Sequence, residues 1–349
     1  MALKTNRLGV GFLGAGPVVQ AIHLPAISRF PDQLAIRHIM DVDALLAEQV
    51  ASLHGCKFST SLDEVLANPE VDVVVVGSPH HIHAAQIIQI AQAGKRAILA
   101  EKPLAMSKEE SSAIYRALEN SKTLLVVGTM HAYDQAYLGA LEFWRELSPE
   151  IKFIRHVCHL PPNPEFVGLA TEPVTTQTSQ RPILDFSDKR VLKSIMRNGI
   201  LTLAIHDVPL IRDLISGNLW VSAAEAIVPE GHALTLTNGS TIAHFSANFL
   251  DGVSPLWRIE VIANIARMTI ECTPSYVLMG SATVRIESGG LIREWQTPTS
   301  GYETEWREII DVLSGATLPR YSLDRVIADI DFALDLADQA DALIFSVGN

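Results

Sequence analysis

The apolar, β-prone run Leu8–Leu13 ends directly in Gly14-Ala15-Gly16-Pro17-Val18-Val19, after which a helical pattern begins. Gly14 permits a tight turn and Gly16 carries no Cβ to block a pyrophosphate. The start of the following helix offers N–H groups and the positive end of its dipole. This turn predicts a dinucleotide-binding domain, with Gly14, Ala15, Gly16, Pro17 and Val18 around the pyrophosphate. Val19 stands where a third Gly or Ala is usual, so close helix–strand packing must be arranged differently there.

The pattern after the turn fits such a domain. Strand-like runs at Leu34–Met40, Val71–Val76, Ala97–Ala100 and Leu124–Val127 alternate with helical patterns near Val18–Arg29, Ala44–Leu53, Ile82–Ala93 and Lys108–Asn120. That alternation predicts a doubly wound parallel sheet over residues 1–128. Val71–Val76 is almost unbroken in its apolar character, as expected of a central strand covered on both faces.

Beyond Gly128 the pattern changes. A helix is predicted near Gln135–Leu147, a strand near Ile151–His159, then an aperiodic, Pro-, Thr- and Ser-rich stretch from Pro161 to Lys189. Such a stretch reads as a long functional loop near the site, with Arg181, Asp185 and Asp188 able to meet a polar ligand. Strand-like runs follow at Thr241–Phe249, Leu256–Ile262, Met268–Cys272 and Ala282–Ile286, and helices near Glu303–Leu313 and Ser322–Phe345 close the chain. Residues 129–349 are therefore expected to form an α+β domain with a large, mostly antiparallel open sheet. A chain of 349 residues suits two cores.

Composition narrows the partners. A formal charge of -12 disfavours nucleic acid, whose phosphates call for clustered Lys and Arg. No window reaches the roughly 18 uninterrupted apolar residues of a membrane span. The first residues do not resemble a signal peptide, so a cytoplasmic location is expected. Cys56, Cys158 and Cys272 are too scattered for a disulfide framework or a metal ladder.

The second strand ends at Met40-Asp41, where a carboxylate is wanted for the adenosine ribose hydroxyls. Asp41 and Asp43 would repel a 2′-phosphate, so NAD is favoured over NADP. Asp43 is equally readable as the N-cap of the next helix.

Gly77-Ser78-Pro79-His80-His81-Ile82-His83 follows the Val71–Val76 strand, and Glu101-Lys102-Pro103-Leu104 follows the strand Ala97–Ala100. With His23-Leu24-Pro25 after the glycine turn, these segments resemble the glucose–fructose oxidoreductase / inositol dehydrogenase / MocA-type dehydrogenases. Pro103 keeps Lys102 out of the helical region, in a loop at the carboxyl end of a strand, where ligands of doubly wound sheets lie. The resemblance implies that Lys102 is the catalytic acid/base and contacts both cofactor and substrate. Ser78, Pro79, His80, His83 and Glu101 are expected to border the cofactor, with His80 and His83 also capping the helix that starts there. Histidines spaced by one and two residues leave a helix in different directions, so no metal is expected.

In the second domain, the resemblance places the substrate-contacting histidine at His206. Thr202, one helical turn earlier on the same face, occupies the usual aspartate position. Asp207 is not expected to stand in for it. His131 and Tyr133 lie in a further, altered family motif and are read as substrate contacts together with Arg181. The resemblance implies reversible hydride transfer between a nicotinamide and a secondary alcohol of a sugar, inositol or related polyol, in a homodimer or homotetramer joined through the second sheet. The competing reading is a dinucleotide-binding sensor or regulator.

Overall fold

The computed structural model describes residues 7–176, 184–215 and 217–346. The chain divides into two compact units. The first comprises Met1–Gly128, Phe166–Gln180 and Tyr302–Ile330, and the second Thr129–Glu165, Arg181–Gly301 and Asp331–Asn349. The second unit is thus not the uninterrupted stretch 129–349, because two later segments pack with the first.

Six strands form the sheet of the first unit: β1 (Leu8–Leu13), β2 (Leu34–Met40), β3 (Lys57–Ser59), β4 (Val73–Val76), β5 (Ala97–Ala100) and β6 (Leu124–Val127). Their order is β3-β2-β1-β4-β5-β6 and every pairing is parallel. This is the Rossmann order, which reverses direction between β1 and β4 and opens a crevice at their carboxyl ends. Val73 to Val76 are wholly buried, because helices cover both faces. The edge strand β3 and the short helix Leu62–Ala67 carry too few residues to show a period.

The second unit holds β7 (Ile151–Leu160), β8 (Trp220–Ala226), β9 (Gly231–Thr237), β10 (Ile242–Phe249), β11 (Leu256–Ala263), β12 (Ala266–Glu271), β13 (Thr283–Ser288) and β14 (Leu291–Trp295). They lie in the order β14-β13-β12-β11-β7-β10-β9-β8. Only β7 and β10 run parallel within this sheet as described. One face is buried: Ile154, His156, Cys158 and Leu160 on β7 alternate with more exposed residues such as Arg155. The helices Gln135–Leu147 and Lys189–Thr202 cover that face. A Cβ at Gly199 on the latter would lie 2.8 Å from His232 Nδ1, so only glycine allows this approach. Among the described residues no helix is long and apolar enough to cross a membrane.

Candidate functional site

In the first unit the glycine turn sits at the crevice, directly after β1. Gly14 adopts a φ of +98°, and a Cβ there would meet the Gly77 carbonyl oxygen at 2.6 Å. A Cβ at Gly16 would meet nothing within 4 Å, so the space over this residue is open to a ligand. The helical turn Val19–His23 begins without a side-chain cap. The close packing that Val19 prevents from its own position is provided by Gly77, where a Cβ would lie 2.7 Å from Val19 Cγ2. The small residue has moved from the helix to the end of the adjacent strand β4.

Asp41 is tied to this turn. Its Oδ2 accepts the Ala15 N–H at 2.8 Å and its Oδ1 accepts the Asp43 N–H at 3.0 Å. Asp43 caps the helix Ala44–His54 by accepting the Leu45 and Leu46 N–H groups. The Thr176 hydroxyl also donates to it and, as the leading cause, holds its carboxyl below the ordinary range.

Along the same strand ends, Ser78 Oγ donates to Gln86 Oε1 at 2.6 Å. Pro79 is exposed and precedes the turn His80–Ile82. The expected caps from His80 and His83 are absent: neither the His80–Ile82 turn nor the helix His83–Gln92 has a side-chain cap. The buried His83 ring instead spans the strand ends, Nδ1 lying 2.8 Å from the Pro103 carbonyl and Nε2 2.7 Å from that of Ser78. Glu101 is buried with Oε1 3.0 Å from His23 Nε2. Burial pushes its carboxyl up, but His23 draws it below the ordinary range. Half-buried Lys102 stands two residues beyond β5. Burial, then the Lys102 charge, pushes His80 down to about 4, so its ring is neutral near neutral pH.

The second unit gathers its polar side chains around a residue that sequence reasoning set aside. Asp207 is fully buried, and its Oδ1 lies 2.7 Å from His131 Nδ1. Its Oδ2 accepts from His156 Nε2 at 2.6 Å and from the Trp257 indole N–H at 2.6 Å. Burial pushes the Asp207 carboxyl up, but His131 and His156 overcome this and hold it far below the ordinary aspartate range. The His206 ring lies 5.9 Å from the His131 ring and 5.4 Å from that of Trp257. His131, Tyr133 and His206 are all buried.

The Thr202 hydroxyl donates back to the Asn198 carbonyl at 2.6 Å. Sequence spacing was a poor guide to Asp207 because its partners come from three distant segments. Cys272 lies close by, and with His131 and Asp207 it places ligand-type atoms within 4.8 Å of one another. Adjacent ligands of a tetrahedral zinc would stand about 3.3 Å apart. The Asp207 contacts of 2.6 and 2.7 Å are hydrogen-bond lengths, so the arrangement suits proton sharing better than metal.

The stretch Pro161–Lys189 is more regular than expected, for Asn163–Ala170 is helical. Val174 and Thr176 contact Gln20 and Asp43 of the first unit's own crevice. Asp185 binds the N–H and hydroxyl of Ser187, and Asp188 caps the helix Lys189–Thr202 and pairs with Arg190. Both acids therefore serve local structure. Arg181 lies outside the described residues.

Residues 8–129 match the model of the GFO_IDH_MocA family, described as "Oxidoreductase family, NAD-binding Rossmann fold". The inositol 2-dehydrogenase of Rhizobium meliloti is 32% identical over 129 residues, 37% of this chain and 38% of that protein. The scyllo-inositol 2-dehydrogenase (NAD(+)) of Bacillus subtilis is 40% identical over 95 residues, 27% of this chain and 28% of its own. These matches span 38% and 28% of the relatives' own length. The fold extends further. A putative myo-inositol dehydrogenase from Sinorhizobium meliloti superposes with a TM-score of 0.71 at 21% identity, covering 97% of this chain and 98% of its own. A 3-ketoreductase from Actinomadura kijaniata, in complex with TDP-benzene and NADP, gives 0.70 at 17% identity over 95% and 96% of the two chains.

Proposed function

Because residues 8–129 belong to this oxidoreductase family with its NAD-binding Rossmann fold, we propose that the protein is an NAD-dependent dehydrogenase acting on a secondary alcohol of a sugar, inositol or related polyol. The observation that carries the reading is the glycine turn, open over Gly16 and braced by Asp41 through the Ala15 N–H. Gly14 to Val18 would hold the pyrophosphate, Asp41 the adenosine ribose, and Ser78, Pro79, His80, His83, Glu101 and Lys102 the edge of the nicotinamide half. A bound nicotinamide supplies the hydride acceptor or donor.

The chain's own part is to position the alcohol and handle its proton. Lys102, as an ammonium, donates a hydrogen bond to the substrate oxygen and stabilises alkoxide character. His206 orients the hydroxyl, with His131 beside it. The polyol and inositol relatives support the substrate class. Self-association belongs to the same reading: Ile242 and Ile262 flank Phe153 in register on the open face of the second sheet, forming an apolar row for a second copy to cover. So does a cytoplasmic location.

Lys102→Ala is expected to lower kcat by roughly 10²–10⁴-fold with little change in NADH affinity. Undiminished turnover would remove the chemistry from this residue. NADH is expected to bind more tightly than NADPH, with Asp41→Ser narrowing the gap in a fluorescence titration; equal affinities in the wild type would remove the specificity role from Asp41. The bonded Thr202 hydroxyl, at the position where the family resemblance implies an aspartate, favours a second reading as a dinucleotide sensor or regulator. A sensor binds NADH and leaves its absorbance unchanged across a polyol panel.

A further inference from the structure

We propose that residues 172–176 are a strap of the dinucleotide site, docked on the glycine turn by the Gln20 amide and on the end of β2 by Asp43, and that its opening sets the rate of dinucleotide exchange. This rests on the dinucleotide reading above. Gln20 Nε2 donates to the Ala15 carbonyl at 2.7 Å and to the Val174 carbonyl at 3.0 Å, while its Oε1 accepts the Val174 N–H at 2.8 Å. One side chain therefore joins a residue of the turn to both backbone polar groups of a residue 154 positions away. Two residues on from Val174, Thr176 donates its hydroxyl to the Asp43 carboxylate.

The two anchors stand at the two ends of the adenosine half of such a site. One is the turn that faces the pyrophosphate, and the other is the carboxyl end of β2, where the ribose lies. The segment, pinned at Val174 and at Thr176, runs beside the space the ribose takes, while the space over Gly16 stays open. The segment has no helix or strand of its own and remains half-buried or exposed. It is held by a few side-chain hydrogen bonds, each weak enough in net terms to open on the timescale of ligand release.

The test is NADH dissociation followed by stopped-flow displacement with excess NAD, in the full chain and in Gln20→Leu and Thr176→Val. Gln20→Leu is expected to speed dissociation about ten-fold and Thr176→Val about three-fold, the range of one to two net hydrogen bonds. Hydrogen exchange over 172–176 should rise in parallel. Thr176→Val leaves the glycine turn intact, so it decides the matter should Gln20→Leu fold poorly. NADH bound by all three proteins and released at one rate would overturn the strap. Faster association with unchanged dissociation would also overturn it, since the segment would then block the site. A wild type that binds neither NADH nor NADPH would overturn the dinucleotide reading itself, and the strap with it.

Discussion

Each unit buries a carboxylate completely, and the two are treated in opposite ways. Asp207 in the second unit faces three donors, from His131, His156 and Trp257. Glu305 in the first unit is just as buried, yet neither of its oxygens finds a partner among the described residues. Burial pushes the Glu305 carboxyl far up, and the nearby Glu101 charge adds to this. Asp207 is held down despite its burial. Desolvation acts on both, so the donors decide which acid keeps its charge. Asp207 is thereby fitted to orient histidines, and Glu305 to remain a neutral acid behind Glu101.

The largest effect expected from this contrast is that of Asp207→Ala. It would leave two imidazoles and an indole N–H buried around an empty position. Breaking a buried charged network from one side costs roughly 3–5 kcal/mol, to be read as a lowered urea midpoint with faster hydrogen exchange in β7 and β11. The depressed folded pKa also fixes the sign with pH. The stabilisation is complete above the unfolded aspartate value of 3.8 and is lost only as the pH falls below it, toward the depressed value. A loss under about 1 kcal/mol would mean that the three donors find other acceptors, and the contrast with Glu305 would collapse.

How much of this was legible in the sequence follows from distance along the chain. Strands β1, β2, β5 and β6 coincide with their apolar runs, and the nearness of Asp41 to the glycine turn is legible because a strand end and that turn fix its place locally. Gly77 packing on Val19 was not legible, because the close approach is made between β4 and the first helix rather than inside the turn. Asp207 was hidden for the same reason. Its partners stand 76, 51 and 50 residues away, on a turn and two strands whose pairing no short window shows. His156 sits on the inward face of β7, among apolar neighbours where the alternation calls for another hydrophobe. An inward polar residue on an amphipathic strand is the one local sign that a partner waits opposite. Thr176 and Val174 lay in a stretch without period, so sequence marked the segment as functional but could not say which unit it served.

A smaller effect, and the one that separates partnering from burial most cleanly, is expected of Glu305→Gln. Since the folded pKa is raised, the folded protein keeps a proton on Glu305 above pH 4.5, where the unfolded chain releases it. Within that window the folded state binds more protons, so the wild type loses stability as the pH rises. Glutamine has the same shape and does not titrate, and any cost of its buried amide is the same at every pH. The difference in stability between variant and wild type should therefore be flat below the unfolded value. It should then move in favour of the variant by roughly 1 kcal/mol from pH 4.5 to 5.5. Urea titrations at half-unit steps from pH 4 to 7 read this directly. A flat difference across that range would show that the Glu305 pKa is not raised in the folded chain. Its carboxylate would then be solvated or bonded as Asp207 is, and burial without donors would not be what distinguishes the two units.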